Sequence, residues 1–533
     1  RLGRLEPAHW VALGAALLAF HLAGGNLRGS WIIIDDHEIM KFLGPDQRLA
    51  WSEIPRLLLQ TEVGRPGWSV RYRPVYYLLR LVETALWGAD IRLWNLARVV
   101  LLAVSIWLLW WLLARGGDPV LAAGAVLLVF AMGFWRFIWC HLGTAEIYAV
   151  PGSLLCLAGC VLALRRQVGR GGDWAAGLAI LGGGLIAVGS KENFVMLAPL
   201  ALLAALVRWQ RDGRDWRRAW PVHVGTALLL VFALAVSAAL LMALGRAGAD
   251  VYGASIAPGD RWQALLTFMR RRGLLQVSVV LAPALWVAGR QFARRWPAGW
   301  PETAVRMLGW HAAGQVLLYL GYGWQMVYYN GQLPAGTRYD YPSELLPILS
   351  LALWLMVAGR LVGQVRLGPH MRETARRWLS RGITSGAGLV LAAVALQRGY
   401  GPFREYTGSY VQVSRAFYGS LQALVREAQQ QPGAPIWVEN QGPEEFEPVI
   451  GLARFLRAHG VGNPLFLRVC AGAYRENDPT ERALASRLRN LIREGGEGYW
   501  PASAADDKMP ALVVTFRNRP PRVPGARHLS IWW

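Results

Sequence analysis

Long apolar segments joined by short polar connections fill the first three quarters of the chain. A helix needs about 20 predominantly apolar residues to cross a bilayer, and about eleven segments meet that need. They lie near 9–27, 92–113, 119–138, 147–164, 174–190, 193–208, 221–245, 273–290, 304–329, 343–364 and 383–399. The pattern predicts a polytopic α-helical membrane protein with about eleven transmembrane helices. Only Lys191-Glu192 separates the fifth segment from the sixth, which predicts a tight hairpin on one membrane face. The stretch 74–87 is also apolar, but Arg80 and Glu83 interrupt it, and Arg71, Arg73 and Pro74 precede it. It reads as a helix lying on the membrane surface, inside a first loop spanning 28–91.

After Tyr400 the pattern changes. An amphipathic helix carries Val411, Phe417, Leu421 and Leu424, and strand-like runs at 435–438, 465–469 and 511–516 alternate with helical patterns at 447–458 and 481–493. Strands alternating with helices predict a small C-terminal α/β domain over 400–533. It contains no glycine-rich phosphate loop and no helical repeat of about 34 residues.

Composition supports the membrane assignment: of 533 residues, 54% are hydrophobic and 17% charged, which excludes an ordinary soluble globular protein. The net charge of +22 does not point to nucleic acid, because the arginines gather in short loops between spans. Arg165, Arg166 and Arg170 form one such group, and Arg208, Arg211, Arg214, Arg217 and Arg218 another. Arg290, Arg294 and Arg295 follow, then Arg360, Arg366, Arg372, Arg376, Arg377 and Arg381. Loops rich in arginine stay in the cytoplasm. Connections 139–146, 191–192 and 330–342, nearly free of basic residues, therefore face outward from the inner membrane, as does the tail. Counting 74–87 as a span would invert every later loop. Arg270, Arg271 and Arg272 run against the rule and read as a lipid-phosphate contact or, in preference, a solvated turn. The first span lacks a clear cleavage site and reads as retained. The 4 cysteines give no disulfide framework. Lys41, Lys191 and Lys508 are the lysines among 56 basic residues, so Lys191 at a span boundary needs a local reason.

The outward face collects acids and bases from separate loops. Asp35, Asp36 and Glu38 follow the first span; Arg71 and Arg73 precede the surface helix; His141 and Glu146, Lys191 and Glu192, and Arg338, Tyr339 and Asp340 occupy later connections. Carboxylates that accept a proton and cations that neutralise phosphate are the parts needed to move a group from a phosphorylated lipid to a hydroxyl or amine. Blander readings stand beside this one: aspartates after a membrane helix as solvated punctuation, and Arg73 and Arg338 as snorkelling side chains. Asp35, His37, His141 and Glu146 also have the chemistry of metal ligands, although no metal or other cofactor is expected.

Asp35-Asp36, Tyr72-Arg73-Pro74-Val75, His141 with Glu146, Ser190-Lys191-Glu192, and Arg338-Tyr339 with Pro342 follow one another in an order that resembles the GT-C membrane glycosyltransferases. The resemblance covers residues 10–365. It is nearest to the protein O-mannosyltransferases with transmembrane and tetratricopeptide regions, and more distant to the lipid A aminoarabinose transferases. It implies a polyprenyl-phosphate-linked sugar donor, a protein, lipid or glycan acceptor, hexosyl or pentosyl transfer, and an inverting displacement. Asp35 resembles the catalytic base and Asp36 its acidic neighbour. Arg73, Lys191 and Arg338 resemble cations on the donor phosphate, and His141, Glu146, Glu192 and Tyr339 resemble substrate-binding residues. The family pattern is broken where Leu142 replaces a proline and Thr144 a second histidine, and the tetratricopeptide region is replaced by the α/β tail. A transporter or flippase is the competing class, for which paired repeats and charges near mid-membrane would be expected.

If the charge pattern sets topology, protease added to cells stripped of any outer envelope clips the tail beyond Tyr400. Protection of the tail until lysis would overturn the assignment.

Overall fold

The computed structural model describes residues 7–247 except 33–35, 45, 65–70 and 166–169, isolated positions between 262 and 338, and 341–531 except 363–372, 502–511 and 518–526. The helices of the first half are α1 (Pro7–Ala23), α2 (His37–Met40), α3 (Ile54–Leu59), α4 (Pro74–Trp87), α5 (Ile91–Gly116), α6 (Pro119–Phe130), α7 (Arg136–Trp139), α8 (Glu146–Ala163), α9 (Arg170–Ser190), α10 (Leu197–Arg211) and α11 (Trp220–Ala247). Then come α12 (Leu346–Val362), α13 (Glu373–Arg398) and α14 (Gly401–Gln430).

Among the described residues, 7 helices are long and apolar enough to cross a membrane, and 8 if the pair Pro119–Phe130 and Gly133–Trp139, bent by 59°, is one span. They match the segments expected at 9–27, 92–113, 119–138, 147–164, 174–190, 193–208 and 221–245, and the segment expected at 383–399 falls within the longer helical stretch Trp378–Gln430. The segment at 343–364 is α12, whose apolar stretch Pro347–Gly359 is shorter than a span. The segments at 273–290 and 304–329 lie outside the described residues apart from isolated positions.

Small residues set how closely the helices approach, as expected where lipid supplies no hydrophobic drive for helix association. On α9, a Cβ at Gly183 would stand 2.4 Å from the Cys156 nitrogen of α8. Between α6 and α13, a Cβ at Gly124 would stand 2.0 Å from the Gly388 oxygen. The connections also sort into two ends of the bundle. Arg208 donates to the carbonyls of Ala163 (3.2 Å) and Arg165 (2.7 Å), so the arginine-rich loops after α8 and α10 share one end. Asn26 donates to the Trp139 carbonyl (3.2 Å), placing the exit of α1 beside the 139–146 connection. These are the groupings that charge parity predicts.

Helix α4 differs from its expectation in one respect. At 14 residues it is too short to span, but Arg80 and Glu83, read from sequence as the mark of a water-facing surface helix, are both buried. Their partners on α5 and α8 hold them inside.

The C-terminal unit contains β1 (Ile436–Asn440), α15 (Phe446–Ala458), β2 (Leu465–Val469), α16 (Pro479–Glu494), β3 (Leu512–Phe516) and β4 (Arg527–Ile531). All the strand pairs are parallel, in the order β2-β1-β3-β4. Every residue of β3 is buried, as a strand covered on both faces requires. Strand β4 was absent from the sequence reading: Arg-His-Leu-Ser-Ile offers too little apolar pattern to be recognised. The cysteines form no disulfide among the described residues and are buried.

Helix α14 belongs to both halves. Phe403 joins the core of the helical bundle. About four to six turns on, Phe417, Leu421 and Leu424 join a second core with Ile436, Val438 and Val514 of the sheet. That second core also contains Trp31, Ile32, Ile39 and Met40 of the first loop. The tail is thus packed directly onto the segment that carries the acidic cluster. Phe417→Ala should cost about 3–5 kcal/mol through the cavity it leaves, lower the melting temperature, and expose the first loop to protease. Unchanged loop protection would show that the second core does not hold it.

Candidate active site

The site begins where three elements end on the same face. Helix α9 terminates at Ser190, and the backbone of Lys191 is extended, so Lys191 and Glu192 leave the helix in different directions. The Lys191 ammonium group, 1% exposed, pairs with the Glu146 carboxylate at the first residue of α8. Glu192, fully buried, accepts from Nε of Arg73 at 3.0 and 3.1 Å, and from the Tyr72 backbone N–H at 3.1 Å. Arg73 immediately precedes α4, where Pro74 begins the helix without needing a donor of its own. One dipeptide thereby joins α9 to α8 through a cation and to α4 through an anion.

Further groups surround this pairing. The Arg73 backbone N–H donates to Glu62 at 3.2 Å. The charges of Lys191, Arg338 and Arg73 all act on the Glu146 carboxylate, which places Arg338 within electrostatic range of the same point. Asn193 donates to Gln325 (3.1 Å) and to the Tyr341 carbonyl (3.3 Å), tying the turn after α9 to the segment that follows Arg338.

Asp36 is 1% exposed, and its carboxylate accepts from the Ile32 N–H at 3.2 Å. Its carbonyl accepts from Ile39 (3.0 Å) and Met40 (3.2 Å), opening α2. Asp35 and Tyr339 lie outside the described residues. His141 hydrogen-bonds the Tyr406 hydroxyl at 2.9 Å and meets the Tyr410 ring edge-on, both from α14. Of the residues expected from sequence, the structure therefore joins Arg73, Glu192, Lys191 and Glu146 by direct contact, with Arg338 in range. It turns His141 toward the long helix.

No three His, Cys, Asp or Glu side chains converge as a metal site among the described residues, a set that omits Asp35 and the His37 side chain. Sequence reasoning missed Glu62 and the cluster of Arg80, Glu83, Arg98 and Tyr148 beneath the site. Charged residues inside apolar helices were the signal for the cluster.

The fold and the site together define a polytopic membrane protein with buried, paired charges at the ends of its spans. No family model and no curated protein matches the chain. Similar solved structures are ArnT from Cupriavidus metallidurans in the apo state (15% identity, TM-score 0.41, covering 92% of this chain and 91% of that one) and the same protein bound to undecaprenyl phosphate (15%, TM-score 0.38, 92% and 92%). A third is the Archaeoglobus fulgidus oligosaccharyltransferase in complex with zinc and sulfate (14%, TM-score 0.41), with 83% of this chain aligned to 61% of that one.

Removing one partner of a buried pair strands the other charge, at about 3–5 kcal/mol. Lys191→Met should therefore lower the melting temperature, and adding Glu146→Gln to it should recover most of the loss. A double variant no more stable than the single one would show that the pair is not what the site depends on.

Proposed function

We propose that this protein is a GT-C glycosyltransferase that moves a sugar from a polyprenyl-phosphate-linked donor to an acceptor on the outward face of the membrane. The observation that carries the reading is the buried pairing of Lys191 with Glu146 and of Arg73 with Glu192, with Arg338 in range. Buried ion pairs seldom repay their desolvation in stability. Ionisable groups at membrane depth are functional by default. Cations fixed in a water-poor site are suited to a leaving phosphate, which gains charge as the sugar departs. Their position at span ends, where a lipid headgroup lies, supports an enzyme over a transporter.

In the proposed reaction an acceptor hydroxyl or amine attacks the anomeric carbon from the side opposite the phosphate. The new bond forms as the bond from carbon to phosphate oxygen breaks. The electron pair leaves with the polyprenyl phosphate, and the acceptor's proton passes to Asp35. Lys191, Arg73 and Arg338 take the phosphate charge, while Glu146 and Glu192 hold two of these cations in place. The burial of Asp36 and its bond to Ile32 suit a carboxylate that shapes the loop, which favours Asp35 as the base. No cofactor enters this scheme.

Incubating the purified protein with polyprenyl-phosphate sugars, hexoses and pentoses alike, should release polyprenyl phosphate; no release with any donor and acceptor would sink the reading. Asp35→Asn should slow transfer by about 10²–10⁴-fold with donor binding retained, the usual value of a general base. Full activity in both Asp35→Asn and Asp36→Asn would remove the acidic cluster from the chemistry. Arg338→Ala should weaken donor use by about 1.5–3 kcal/mol, the range for a charge-assisted contact.

A further inference from the structure

Beneath the paired charges lies a second polar cluster that the proposed reaction leaves unused. Arg80 on α4 is completely buried. Its guanidinium lies over the rings of Tyr76 (5.2 Å), Tyr148 (5.3 Å) and Trp94 (5.6 Å), beside the Tyr76 hydroxyl, and 3.6 Å from Glu83. Glu83 is already held by Arg98, which donates to both carboxylate oxygens at 3.1 Å, and by the Tyr148 hydroxyl. Arg80 is thus a cation that the carboxylate does not require, enclosed by aromatic faces. Cation–π contacts of this kind strengthen when desolvated, but taking a charge out of water is costly.

Each ring around Arg80 leads to a different part of the site. Tyr76 lies one turn beyond Arg73, and its hydroxyl donates to the Gly143 carbonyl (2.8 Å) in the connection that ends at Glu146. Tyr148 lies two residues beyond Glu146 on α8. Trp94 packs edge-on against Trp31 at 6.2 Å. Trp31 neighbours Ile32, whose N–H is bonded by Asp36, and its own indole donates to the Ala89 carbonyl at 3.1 Å.

We propose that Arg80 is a positioning residue. By binding three aromatic faces at once, its guanidinium fixes the start of α4 with Arg73, the start of α8 with Glu146, and Trp31 with the Ile32–Asp36 contact in one arrangement. It acts through these rings and touches no substrate. The catalytic consequence rests on the glycosyltransferase reading, whereas the positioning itself does not.

The test uses the full-length protein in lipid nanodiscs, with Arg80→Met, which keeps length and apolar volume, and Arg80→Lys, which keeps the charge. Because Glu83 retains Arg98 and Tyr148, neither variant strands a carboxylate. Hydrogen exchange should speed up in Arg80→Met at the described parts of 28–43, at 71–80 and at 141–148 together, with the remaining bundle unchanged, and Arg80→Lys should restore part of the protection. Exchange unaltered in these segments, or raised evenly across the chain, would overturn the proposal. With a donor that the wild type uses, Arg80→Met should lower kcat by about a hundredfold, the scale of a 1 Å misplacement, with a smaller change in KM. A kcat equal to wild type would overturn the catalytic consequence. A wild type that uses no donor, with the segment-specific exchange still present, would remove the glycosyltransferase reading and leave the positioning role standing.

Discussion

Charge buried at the ends of membrane helices needs a compensating partner, and the close packing of α8 on α9 is what brings Glu146 to Lys191. Gly183 and its neighbours leave no room for side chains between the two helices, so their adjoining ends meet within reach of an ammonium group. The next residue, Glu192, uses the same turn to hold Arg73. Two consecutive residues of opposite sign thus fix three elements around one point, and the turn after α9 becomes the centre of the site.

A second constraint acts from the tail. Helix α14 enters the bundle core with Phe403 and leaves it with Phe417 and Leu421 in contact with the sheet. The first loop is packed between these halves, with Ile39 and Met40 buried against α15 and its neighbours. A long loop with little apolar core of its own is difficult to order by itself. Here the α/β unit supplies the apolar surface that orders it.

The buried arginines follow the same logic with a different partner. Arg98 has the bidentate carboxylate geometry that suits a guanidinium. Arg80 lies over ring faces, with Glu83 at 3.6 Å; a cation over a ring face is less directional than a hydrogen bond, so its attachment tolerates small shifts in angle while still resisting displacement. Such a contact links several helices without demanding a carboxylate from each.

Much of this architecture is written along the chain. Span length and loop charge are properties of contiguous residues, so the apolar segments, the grouping of connections at two ends, the runs that became β1, β2 and β3, and Lys191 as an outlier among arginines could all be read from sequence. Edge strand β4 could not, because Arg-His-Leu-Ser-Ile owes its conformation to pairing with β3 rather than to its own pattern. Nor could the direction of Arg80 and Glu83: two charges in a short apolar helix look alike whether they face water or a cage of tyrosine, tryptophan and arginine on other helices. The partners Glu146 for Lys191 and Glu192 for Arg73, residues 45 and 119 apart in the chain, were decided by helix packing alone, since the energy of an ion pair depends on distance in space and sequence records only distance along the backbone.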